Sequence, residues 1–226
     1  MDTGRVVQNL LSGKVQLYMI RTLTTWALLA LIAVATGCAS KSGDKSAGQM
    51  TEMSAEEQMA AWAEVAEPGD EHRVLGHMVG KWHIQTTFWM TPDAEPQTSE
   101  ATSDARWIIG RRYVAESVLG TMEIEGESMP FEGLGMTGYD KMAGQYIGTW
   151  MDSMSTSLLT FTGSYDADTR TLSMTGDCTD PMSGRPMTIR SDATFVSDET
   201  FTVKMYHDYE GEPEFQCLEL IYTRTE

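Results

Sequence analysis

The chain has 226 residues, of which 41% are hydrophobic, and a formal net charge of −17. That length suits one domain with a sizeable core, while so acidic a surface argues against nucleic acid and anionic lipid headgroups as partners. Charge of this sign favours solubility and cationic partners, and says nothing about fold.

Residues 22–40 carry no charge, and residues 26–35 (WALLALIAVA) form an apolar run with Arg21 before it and Gly37-Cys38 after it. This order of basic, apolar and small residues is that of a secretory signal. The run is shorter than the ~20 residues that a bilayer-spanning helix needs. Ala35-Thr36-Gly37-Cys38 resembles the bacterial lipobox, with Ala35 where that pattern prefers Leu. The resemblance implies cleavage after residue 37, lipidation of Cys38 and anchoring at the bacterial cell envelope, on the periplasmic face or the outer membrane. Met19 is itself a suitable start, so residues 1–18 read as a misassigned extension. Loss of residues 1–37 leaves 32 acidic and 13 basic residues, a net charge of −19.

Residues 38–53 are small, polar and aperiodic, a flexible tether. Residues 54–79 then read as two short helices. Ser54 with Glu57 makes a capping box, and Met59, Trp62 and Val65 follow at helical spacing. Pro68-Gly69 breaks the first helix, and Asp70 opens a second that presents Val74, Leu75 and Met78.

From residue 80 to 226 the apolar period is two. Strands are expected over 81–90, 97–109, 111–122, 130–139, 144–153, 156–165, 170–179, 186–196, 200–209 and 214–224, separated by turn signals such as Thr91-Pro92-Asp93 and Asp166-Ala167-Asp168. Strands at this spacing with no helix between them predict an antiparallel meander, and a long meander removes its edges by closing. The fold expected is all-β, an up-and-down barrel of about 8–10 strands behind two short helices. Cys178 and Cys217 fall on strands that a meander does not make neighbours, so two buried free thiols are expected.

Several chemical motifs fail on context. Residues 133–138 match Gly-x-Gly-x-x-Gly, but a turn and another strand follow where dinucleotide binding needs a helix N-terminus. These glycines are expected to bend a coiled strand or to lie beneath aromatic rings. There is no Gly-x-Ser-x-Gly, P-loop, Cys-x-x-Cys or His-Glu-x-x-His. His72 and His77 are badly spaced for a shared metal, and His83 alternates with Trp82 and so faces away from it. His207 shares a face with Val203 and Met205 and is the one histidine placed to serve a lumen, where it would be a haem ligand or a bonded core residue. Fifteen of the 17 methionines follow residue 49, which suits adaptable apolar walls better than metal binding. Asp166 and Asp168 read as a turn rather than a calcium loop, and Glu123, Glu125 and Glu127 as a solvated edge.

Gly80-Lys81-Trp82 after a short helix resembles the Gly-x-Trp signature of lipocalins and calycins, which implies that Gly80 and Trp82 plug the closed end of a barrel. More of the chain, from about residue 71 to 224, resembles the bacterial domain-of-unknown-function family one-five-seven-nine. The segments that carry it include LGHMVGKW at 75–82, FWMTP at 88–92, FEGLGMTGYD at 131–140, TWMDSM at 149–154 and IYTR at 221–224. Membership implies a lipocalin-like barrel and no established activity. The leading expectation is non-covalent binding of a small apolar or amphipathic molecule, on walls carrying Trp89, Trp107, Trp150, Met154 and Tyr206. Asp152, paired with an arginine, would be the polar anchor, and no cofactor is assigned. The alternatives are an enzyme using Asp152 or His207 as acid or base, and a filled barrel that serves only as a protein–protein module. Oligomeric state is left open.

Overall fold

The computed structural model describes residues 53–124 and 127–225, all within one compact unit, Glu52–Glu226. The signal segment, Cys38, the tether up to residue 52, Glu125 and the side chains of Glu123 and Glu127 lie outside the described residues.

Helix α1 (Ala55–Ala66) starts where its capping box places it. The Ser54 Oγ accepts from the Glu57 amide at 3.2 Å, and the Ser54 amide donates to Glu57 Oε2 at 2.7 Å. The helix buries no residue. Met59 and Trp62 are 75% and 71% exposed, and the Lys141 ammonium donates to the Glu64 and Glu67 carbonyls at its C-terminal end. Helix α2 (Asp70–Val74) runs into a 3-10 turn (Leu75–Met78). Here the apolar face does turn inward: Leu75 is fully buried, and Val74 and Met78 pack on the same core.

Ten strands follow: β1 (Gly80–Phe88), β2 (Gln97–Ile108), β3 (Tyr113–Ile124), β4 (Glu127–Asp140), β5 (Gln145–Asp152), β6 (Leu159–Asp166), β7 (Thr171–Thr179), β8 (Pro186–Phe195), β9 (Thr200–Asp208) and β10 (Phe215–Arg224). Each pairs antiparallel with its chain neighbour, and β1 pairs with β10 from Trp82↔Arg224 to Phe88↔Leu218. The barrel is therefore closed and leaves no sheet edge unpaired. All ten expected strands are present, with ends shifted by up to three residues. Three of the turns between them share one chemistry: Asp140, Asp166 and Asp180 each fold a side-chain oxygen onto amides two and three residues ahead.

Strand alternation divides inside from outside. Trp82, Ile84, Val114, Val118, Leu172 and Phe201 are buried inward. His83 points outward, its Nε2 lying 3.4 Å from Glu100. One bulge between Gln216 and Leu218 shifts the β9–β10 register.

The helix end of the barrel is closed by Trp82. Its indole N–H donates to the Met78 carbonyl at 2.9 Å, and its ring meets Phe201 edge-on at 4.8 Å. Arg224 covers the ring at 4.1 Å and donates from its guanidinium to the Val79 and Asp198 carbonyls. Gly80 has a φ of +147°, which strains any residue with a Cβ, and a Cβ there would also displace the Arg224 guanidinium. The plug is thus one unit of Gly80, Trp82 and Arg224 around the turn at Met78.

Candidate functional site

Above this plug the barrel is hollow. The cavity has a volume of about 440 Å³, inside the ~300–1,000 Å³ range of small-molecule sites. Its wall is largely apolar, with Phe88, Phe131, Phe161, Leu172, Met174 and Leu220 among its members. Five methionines, Met78, Met122, Met154, Met174 and Met205, contribute to it, which makes the surface adaptable.

Trp150 is the largest ring in the wall. It lies against β4 where Gly133 and Gly135 leave room, and a Cβ at Gly133 would come within 2.5 Å of the indole. The glycines of the 133–138 stretch therefore serve aromatic packing, as their sequence context indicated. Tyr113 does the same at Gly138.

The indole N–H of Trp150 donates to Asp152 Oδ2 at 2.8 Å, and Asp152 Oδ1 accepts from the Met154 amide at 2.9 Å. Asp152 ends β5. The opposite end of that strand holds Tyr146, whose hydroxyl donates to the Glu71 carbonyl beside the helices. Asp152 thus sits at the end of the barrel away from the plug, and orients Trp150.

Its expected arginine partner is not there. Arg190 pairs with Glu214 and Asp192, Arg224 covers Trp82, and Arg112 donates to the Ile109 and Gly110 carbonyls. An indole N–H on the same strand face meets the carboxylate instead, because residues i and i+2 are already neighbours.

Of the six residues expected in the wall, Trp150, Asp152 and Met154 are in it. Trp89, Trp107 and Tyr206 are not. Trp89 follows the end of β1 with the parity opposite to Phe88, and its amide donates to the Cys217 carbonyl. Trp107 faces inward but lies at the plugged end, 3.8 Å from a Cβ built on Gly76, with Arg111 over its ring. Tyr206 faces outward, under Arg190 at 3.9 Å.

His207 also misses the cavity. It shares the parity of Val203 and Met205, but its ring packs edge-on against Phe215 and Tyr209, and burial lowers its pKa. No histidine among the described residues lines the lumen, so the wall presents no imidazole to a haem or to a substrate proton. Cys178 and Cys217 are free thiols, the first half-buried and the second buried, and burial pushes Cys217 up to about 12.

The residue that the sequence pattern did not bring forward is Glu116. It points into the lumen from β3 between inward Val114 and Val118 and is half-buried there. Ser103, itself 4% exposed, donates from Oγ to Glu116 Oε1 at 2.6 Å. Tyr222, buried beside Phe201, is a second hydroxyl partner. Desolvation raises the Glu116 pKa, and the two hydroxyls offset part of that rise by stabilising the carboxylate. A signal was present in the chain: Val114-x-Glu116-x-Val118 places one acid on an otherwise apolar strand face.

A barrel of this kind has counterparts among known proteins. A family model described as "Protein of unknown function (DUF1579)" matches residues 67–224. The chain belongs to this family. No curated protein sequence matches the chain. Among solved structures, the crystal structure of Rv2717c from M. tuberculosis is similar, with a TM-score of 0.50 and 11% identity, covering 71% of this chain and 100% of that one. The structure of the S-type phycobiliprotein lyase CPES from Guillardia theta has a TM-score of 0.46 at 11% identity, covering 70% of this chain and 99% of that one. At 11% identity the Rv2717c structure speaks for a shared barrel fold alone. The DUF1579 domain of this chain is thus a lipocalin-like barrel, closed by ten strands and hollow above Trp82.

Proposed function

We propose that this DUF1579 protein is an exported, lipid-anchored envelope protein whose barrel binds one small apolar or amphipathic molecule in its lumen. The observation that carries the binding is the cavity itself. A barrel that needed only to be stable would fill its interior with side chains, as close-packed cores do. Here small residues, Ala101, Gly135, Gly148 and Ala193, line the lumen while Phe and Met side chains supply its apolar surface. Transfer of apolar ligand surface into such a site contributes about 25 cal/mol per Å².

The test uses N-phenyl-1-naphthylamine, a small apolar dye whose fluorescence rises out of water. The purified protein should show saturable enhancement at one dye per chain. Ala193→Phe, which fills the lumen from β8, should reduce the affinity at least tenfold. Val203→Trp, from β9, is a second block should the first variant melt poorly. Dye binding that is non-saturable, or that both folded variants leave unchanged, would overturn the lumen as the site.

A further inference from the structure

The charged groups of the lumen are of one sign. The carboxyl of Glu116 lies among the residues next to the plug, and that of Asp152 lies at the far end of β5. Among the described residues, no lysine, arginine or histidine lines the cavity. A fatty-acid site needs the reverse, a cation or a set of donors to receive a carboxylate. Here an anionic headgroup would meet two carboxyls in a medium that screens charge poorly.

Glu116 is the more informative of the two. Both hydroxyls it meets, Ser103 and Tyr222, are neutral, so its ionised form has no counter-charge in the lumen. An ionised group held in an apolar enclosure is costly until a partner of opposite charge arrives. The lining offers none, so the partner must come with the ligand. Aromatic faces along the way, Phe88, Phe131, Trp150 and Phe161, attract a cation as well. The strongly negative exterior draws cations toward the protein and repels anions.

We propose that the lumen selects a cationic amphiphile, a long-chain amine whose ammonium group pairs with Glu116 while its alkyl chain lies along the methionine and phenylalanine wall. The inference rests on the lumen being the binding site and adds the charge of its occupant. Ser103 and Tyr222 hold the carboxylate in place, so the ammonium meets an oriented acceptor. Asp152, tied to the Trp150 indole N–H and the Met154 amide, adds a second carboxyl at the end of the lumen away from the plug.

Three single-chain probes of equal length decide it: dodecylamine, dodecanol and dodecanoate, each below its micellar concentration. They compete with N-phenyl-1-naphthylamine for the purified protein at pH 7, where the amine is cationic and the acid anionic. Dodecylamine should displace the dye at a concentration at least tenfold below that needed for dodecanoate, with dodecanol between them. Glu116→Gln should weaken dodecylamine about tenfold and leave dodecanol within twofold, while Glu116→Asp, which keeps the charge, should retain part of the preference. Dodecanoate binding as tightly as dodecylamine, or a folded Glu116→Gln protein with an unchanged amine-to-alcohol ratio, would overturn the proposal while leaving lumen binding intact. Loss of saturable dye binding in the unmodified protein would overturn the lumen reading itself, and this proposal with it.

Discussion

Glu116 and Trp82 are inward residues near the same end of the barrel, linked through Ser103, which pairs with Trp82 and donates to Glu116, yet their neighbours differ. Trp82 is satisfied throughout, with its N–H on the Met78 carbonyl, Phe201 at its edge and Arg224 over its face. Glu116 has hydroxyl partners, but its environment opposes ionisation, which raises its pKa above the ordinary 4.5. A raised acid pKa gives stability that is complete below the ordinary value and is lost as pH rises through the raised one. Glu116→Gln cannot ionise, so the variant should gain stability over the natural chain as pH goes from 4 to 8. The gain is about 1.4 kcal/mol for each tenfold weakening of the acid. Urea titrations of both proteins at pH 4, 6 and 8 would show it, and parallel profiles would refute it. Dye binding in the same series ties the pH effect to the lumen.

At the scale of elements, the two helices do different work. The α2 segment and its 3-10 turn bring Leu75 and Met78 to the closed end and supply the carbonyl that holds Trp82. Helix α1 has sound local chemistry, with its capping box formed, but buries none of its residues. Its tie to the barrel is the Lys141 ammonium on two exposed carbonyls. Exposed contacts of that kind usually count for less than about 0.5 kcal/mol. Deleting residues 55–66 from the chain should therefore move the melting temperature by less than about 2 °C. A loss of about 5 °C or more would mean that α1 is part of the core. The strands were legible in the chain because a period of two with Asp- and Gly-rich turns specifies them directly. Which of their inward positions face the cavity and which fill the plugged end was not, as Trp107 shows. Its parity is right, but its height along β2 places it against the 3-10 turn at Gly76.

At the scale of the molecule, the acidic exterior and the hollow interior belong to different tasks. The exterior charge of the sequence keeps the barrel soluble and away from anionic headgroups, so in the proposed envelope protein attachment to a membrane falls to the N-terminal segment. In bacterial cells the natural protein should fractionate with membranes, and Cys38→Ser should appear in the soluble fraction. Membrane retention of the Cys38→Ser variant would point to an uncleaved anchor, and a soluble natural protein would point to plain secretion. Both outcomes would refute lipidation at Cys38 while leaving the barrel's lumen chemistry open to the dye experiments.

Sequence alone determined ten candidate strands for a barrel of about 8–10, their antiparallel order and the family, because period, turn residues and short motifs are local properties that survive without coordinates. It also separated Trp82 from His83 by parity, and dismissed the glycine stretch at 133–138 as a nucleotide site. Only the closed barrel decided which side chains share the lumen. Bringing β1 against β10 sets Tyr222 and Ser103 around Glu116, three residues on strands β10, β2 and β3. Strand parity, a local property, turns Trp89 and Tyr206 away from the cavity, while His207 has the inward parity but packs against Phe215. Whether a buried acid meets a cation depends on contacts between strands far apart in the chain, and no local pattern encodes them.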